Sequence, residues 1–158
     1  MKKSDYQKST LLQTLEICDL HQKRMNYAIV QLRDIYPLDQ KSYKDLSDHD
    51  ISIIDQMIYR FSKLQDTMGS RLFLQTLGIL EEDYSDKPFI DILMRLEKLE
   101  LLKDHREWIK MREIRNQLAH EYPSEVIETI DALNLLFISA KKISKIYAEF
   151  KNYLNQRL

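Results

Sequence analysis

Eight residues late in the chain gather the side chains best suited to work on a phosphodiester. They are Arg115-Asn116-Gln117-Leu118-Ala119-His120-Glu121-Tyr122, with Pro123 directly behind them. A histidine titrates near neutral pH and can give or take a proton. An arginine offers parallel donors to the oxygens of a phosphoryl group as charge builds on them. Asn116, next to the arginine, can orient the histidine or the phosphate. His105 and His120 are accompanied by no cysteine or carboxylate spacing of the kind that binds metal, so no metal and no cofactor are expected.

Helical geometry sharpens this reading. At about 100° per residue, Trp108, Met111, Ile114 and Leu118 make one apolar arc, and Arg115 falls inside it. Asn116 and His120 lie one turn apart on the neighbouring face. A charge on an apolar face must be paired or must reach an opening at an interface. Arg115 and His120 are about 140° apart on an ideal helix. They act together only if the last turn unwinds or a second chain completes the site. Pro123 biases Tyr122 out of the α region, so the helix is expected to stop at about Glu121, leaving His120 and Tyr122 at an accessible terminus. Taken by themselves, these residues also fit a plainer role. His120 can meet the last carbonyls of its helix, and Tyr122 can cover the helix end.

The fuller pattern, Arg-Asn-X3-His-X-Tyr at the end of a late helix, resembles the HEPN family (higher eukaryotes and prokaryotes nucleotide-binding). That family carries an arginine followed by a polar residue and, four to six residues on, a histidine. One branch, the toxins encoded beside a minimal nucleotidyltransferase, has four intervening residues and a tyrosine two after the histidine. Arg115, Asn116, His120 and Tyr122 match that branch position by position. The resemblance implies a ribonuclease toxin of a type II toxin–antitoxin pair. It implies metal-independent RNA cleavage through attack by the 2′-hydroxyl, with Arg115, Asn116 and His120 as the catalytic set. It further implies a homodimer whose motifs line a shared cleft, and a nucleotidyltransferase antitoxin that silences the nuclease by transferring AMP to Tyr122. Other relatives are non-catalytic nucleotide- or substrate-binding partners of a nucleotidyltransferase, described as antitoxins. The filled arginine, polar and histidine positions favour the nuclease.

The rest of the sequence describes the scaffold. Its 158 residues suit one domain, taken as 1–158, and 44% hydrophobic with 31% charged residues is typical of a globular chain. Two glycines and three prolines leave few turn signals and favour long helices. A net charge of −1 provides no general field for nucleic acid, so any RNA contact has to be local. Cys18 is the single cysteine and falls on an apolar helical face, which points to a reducing compartment and a core position. With no leading apolar signal and no membrane-length run, a cytoplasmic protein with no membrane contact is expected.

The apolar spacing predicts a helix over 6–35, with Leu11, Leu15, Cys18, Met25, Ile29 and Leu32 as its stripe and Gln22 interrupting it. Residues 37–47 read as a polar connection. Ser47 and Asp50 form a capping-box pair opening a helix to about Met68, with Ile51, Ile54, Ile58, Phe61 and Met68 on one face. Arg60 and Lys63 lie off that stripe, as surface charge able to meet phosphate. Gly69 is expected to weaken or bend the helix, an extension over 71–77 to follow, and Gly78 to stop it. Asp86 is expected to cap a third helix that has Pro88 in its first turn and ends near Lys103-Asp104. Asp104 then caps the motif helix, and a last helix follows Ser124, carrying Val126, Ile130, Leu133, Phe137, Ala140 and Tyr147. The expected fold is all-α, an up-and-down bundle of four to five helices, HEPN-like by resemblance.

Overall fold

The first helix, α1 (Lys3–Leu32), buries Leu11, Leu15, Cys18, Met25 and Leu32 of the stripe read from the sequence, with Ala28 buried at the position expected of Ile29, which is only partly buried. The structure is a computed structural model and describes residues 3–120 and 126–158, excluding the side chains of Ala119 and His120. The motif therefore lies partly outside the described residues: Glu121, Tyr122, Pro123 and the expected Ser124 cap are among those not described. Of the described residues, none is in a strand, and no helix is long and apolar enough to cross a membrane.

Residues 37–47 hold a short helix, α2 (Gln40–Lys44), where a plain connection was expected. At five residues it is too short to show a period, but Asp39 and Ser42 close a capping box around its start. Asn134 ties this segment to the bundle. Its Oδ1 accepts from the Leu38 amide at 2.8 Å and its Nδ2 donates to the Leu38 carbonyl at 3.0 Å.

Ser47 and Asp50 do form the reciprocal cap of α3 (Asp48–Thr67). Ile54, Phe61 and Met68 of the expected stripe are buried, whereas Ile51 stays 44% exposed in the first turn. The helix continues through one π turn, Met68–Leu72, into α4 (Phe73–Ile79). Gly69 sits in that turn, with Phe89 and Trp108 about its Cα. An extra residue per turn rotates the following side chains about the axis. Met68, Leu72, Phe73 and Leu77 all reach the core as a result.

Two helix ends differ from expectation. Gly78 lies inside α4, and the chain turns instead at Glu81, in the left-handed region with φ 62°. Helix α5 (Phe89–Lys98) ends before Leu102 in the same way, with Glu100 at φ 63° and the Leu101 amide bonded back to the Leu96 carbonyl at 2.9 Å. A six-to-one bond of this kind satisfies the last carbonyls, and glycine usually takes the left-handed position. In a chain with two glycines, glutamate takes it at both sites. The start of α5 is also shifted: Pro88 is the N-cap residue, not Asp86, and no side chain bonds the first turn.

The motif helix, α6 (His105–His120), and α7 (Val126–Asn155) complete the bundle. Contacts run in opposite senses along each pair: Gln56 meets Arg24 and Arg60 meets His21, Asp66 meets Arg115 and Phe73 meets Trp108, Ser144 meets Gln22 and Lys151 meets Asp19, and Glu107 meets Lys142. Successive long helices α1, α3, α6 and α7 are therefore antiparallel, an all-α up-and-down bundle. Between α1 and α7 runs a polar seam. Gln22 bonds the Ser144 carbonyl and hydroxyl, and the Tyr147 hydroxyl lies 2.6 Å from Asp19 Oδ1. Gln22 interrupts the apolar stripe because α7 presents Ser144 to it.

Candidate functional site

Asp104 starts the site-bearing helix. Its carboxylate accepts from the Arg106 amide at 2.9 Å and its carbonyl accepts from the Glu107 amide at 3.1 Å. Glu97 adds a second cap from α5, accepting the His105 amide at 2.9 Å and facing His105 Nδ1 at 3.1 Å. Trp108, Met111 and Leu118 are buried, and Trp108 packs on Phe73 with centroids 4.7 Å apart. The aromatic anchor fixes both the depth and the rotation of α6. Arg115 then emerges two turns after Trp108, beside α3.

Arg115 is on the apolar side, and it is paired. Its Nη2 donates to Asp66 Oδ2 at 2.7 Å, and its Nη1 donates to Asn116 Oδ1 at 2.9 Å. Its Nε is buried and meets no hydrogen-bond partner among the described residues. Of the five N–H donors of a guanidinium, two are engaged and the Nε–H is enclosed, so two terminal N–H groups are left for a ligand. The side chain is 27% exposed, so solvent reaches it from one direction. Held from two sides in this way, the guanidinium is a fixed cationic fork at the seam between α3 and α6.

Asn116 is exposed, and its side-chain carbonyl accepts from Arg115, which helps to orient the guanidinium. The helix runs continuously to His120, so the backbone positions of Arg115 and His120 keep their separation of about 140°. The His120 side chain and all of Tyr122 lie outside the described residues. The structure thus brings Arg115 and Asn116 together and adds Asp66. Nothing marked Asp66 in the sequence, because its partner is 49 residues away and its own helix face is polar. Its neighbour Gln65 is 3% exposed, with neither amide atom paired among the described residues.

Elsewhere, Glu97, Asp104 and His105 bring three possible ligand atoms within 4.8 Å of one another. Each is already engaged in starting α6, and Arg106 sits on Asp104 with Nε 3.1 Å from Oδ1. The hydrogen bonds and that guanidinium account for the cluster as a helix start. A cleft of about 740 Å³ opens between α1 and the loop after α4, lined by Ser4, Gln7, Gln75, Glu81 and Asp83 among others. It does not include Arg115. Cys18 is enclosed, and burial above all, with Asp19 adding to it, pushes its thiol up to about 12. It is a core residue and not a nucleophile.

No family model, no curated protein and no solved structure matches this chain.

Proposed function

We propose that this chain is a HEPN-type ribonuclease toxin of a type II toxin–antitoxin pair, cutting RNA without metal through Arg115, Asn116 and His120. The observation that carries this reading is the fixed, partly open guanidinium of Arg115 on the apolar side of α6. An arginine held by Asp66 and Asn116 while two terminal N–H groups remain is oriented for an anion before one arrives. Arg115 receives the phosphoryl oxygens, and His120 moves the proton of the 2′-hydroxyl or of the leaving 5′-oxygen. The resulting products are a 2′,3′-cyclic phosphate and a free 5′-hydroxyl.

A homodimer is part of the proposal. Arg115 and His120 diverge by about 140° on one helix, and α6 stays wound as far as His120. Two copies related by a two-fold axis supply both groups to one cleft. Exposed apolar side chains on α7 are compatible with such a contact: Val126, Ile127, Leu135 and Ile138 are 45–58% exposed. Control by a nucleotidyltransferase belongs to the same reading. AMP attached to Tyr122, seven residues after Arg115 in the sequence, adds a phosphodiester and a base that compete with RNA. Intact mass after treatment with such an enzyme and ATP tests this step, with an AMP-sized adduct on wild type and none on Tyr122→Phe.

The engaged terminal nitrogens of Arg115 favour one second reading, a non-catalytic nucleotide-binding partner. Purified protein, RNA and EDTA separate the two. The nuclease gives cyclic-phosphate ends in EDTA and loses them in Arg115→Ala and Arg115→Lys, since a point charge does not replace the fork. A binding partner retains RNA or nucleotide and produces no ends.

A further inference from the structure

The outer face of α3 carries a group of side chains that the catalytic reading leaves unused. Tyr59 and Lys63 stand four residues apart and Asp66 follows three later, so the three share one face, with Arg60 beside them. Tyr59 is 54% exposed. Two cations turn onto its ring: the Arg60 guanidinium carbon lies 5.3 Å from the centroid and Lys63 Nζ lies 5.6 Å from it. Arg60 Nη1 also lies 3.1 Å from His21 Nδ1. Burial first, then Arg60 and Lys63, lower the pKa of that imidazole, which favours its neutral form facing Arg60. The contact fixes the guanidinium without cancelling its charge.

This group adjoins the candidate site. Asp66 bonds Arg115 directly. At about 1.5 Å per residue, Lys63 lies about 4.5 Å and Tyr59 about 10.5 Å along α3 from that contact. Cations flanking an exposed aromatic ring are what single-stranded nucleic acid needs, since the charges follow the backbone and the ring stacks on a base. A base inside a duplex has no free face for such a ring. The net charge of −1 makes the placement informative, because there is no general excess of cations to scatter here.

We propose that Tyr59, Arg60 and Lys63 form a subsite for single-stranded RNA next to the phosphate held at Arg115, the two cations contacting phosphates and the ring stacking on a base. The proposal rests on the RNA-cutting reading and names how its substrate extends.

The test uses the full chain and labelled single-stranded RNA of two lengths, about 3 and about 12 nucleotides, spanning less and more than one site. Binding is measured in His120→Ala, so that RNA stays intact, and cleavage is measured in the otherwise wild-type chain. Arg60→Gln with Lys63→Ala is expected to weaken the longer RNA about tenfold and to flatten the salt dependence by about 0.7 for each phosphate that is no longer neutralised. Tyr59→Ala is expected to weaken it about fivefold, while Tyr59→Phe keeps wild-type affinity. The shorter RNA changes less than about twofold throughout, as does Lys98→Ala, an exposed cation on α5. Circular dichroism melting confirms that each variant is folded. If wild type cuts RNA but these variants keep its affinity and salt dependence, the subsite is overturned and the nuclease stands. Equal weakening of both lengths also overturns it. If wild type neither binds nor cuts RNA, the subsite and the nuclease fall together.

Discussion

At the scale of single residues, Arg115 shows how an apolar face accommodates a charge. Asp66 and Asn116 each take one terminal nitrogen, and both partners stand at the rim of the seam between α3 and α6. With side chains 27% and 48% exposed, the Arg115–Asp66 pair stabilises the fold by at most about 1 kcal/mol. Its value is therefore in fixing a direction for the guanidinium. Gln65, one residue before Asp66, is the contrasting case: buried, with both amide atoms unpaired among the described residues. A buried amide without partners is destabilising, and an apolar replacement of similar shape removes that cost. Gln65→Met is expected to raise stability by about 1 kcal/mol, read as a higher denaturation midpoint with an unchanged slope. A fall of similar size would mean that this amide has a partner in solution.

At the scale of elements, the starts of α3 and α6 were legible, whereas those of α2 and α5 were not. Ser47 with Asp50, and Asp104 before His105, are local signals, complete within four residues, and both form as read. The ends of α4 and α5 were not legible because they use glutamate where the rule expects glycine. Placing a non-glycine residue in the left-handed region costs about 1 kcal/mol or slightly more. Glu100→Gly is accordingly expected to stabilise the chain by roughly 0.5–1 kcal/mol, and thermal unfolding should show Tm higher by about 2–3 °C. A lower Tm would show that the Glu100 side chain does more than occupy the turn. The π turn at Met68–Leu72 was legible only as a weakness at Gly69, since a single extra residue leaves no periodic trace.

At the scale of the whole molecule, the apolar stripes were enough to give the all-α bundle and the burial of Trp108, Met111 and Leu118. They identified Arg115 as a charge needing a partner, though not which one, because Asp66 is brought to it by the packing of α3 against α6 and not by sequence proximity. The backbone positions of Arg115 and His120 are about 140° apart around a helix that stays wound as far as His120. The proposed dimer would bring the two groups into one site, and on that proposal light scattering at micromolar concentration is expected to give the mass of two chains.

The most direct measurement of the central claim mixes two inactive variants. Arg115→Ala and His120→Ala are purified separately, then combined under conditions that exchange protomers, and labelled RNA is followed in EDTA. Each variant alone should leave the RNA intact, and the mixture should recover part of the wild-type cleavage, because a mixed dimer rebuilds one site from the arginine of one chain and the histidine of the other. Cleavage by either variant at the wild-type rate would contradict the assignment of Arg115 and His120. A silent mixture that nonetheless exchanges protomers would contradict a site shared between two chains.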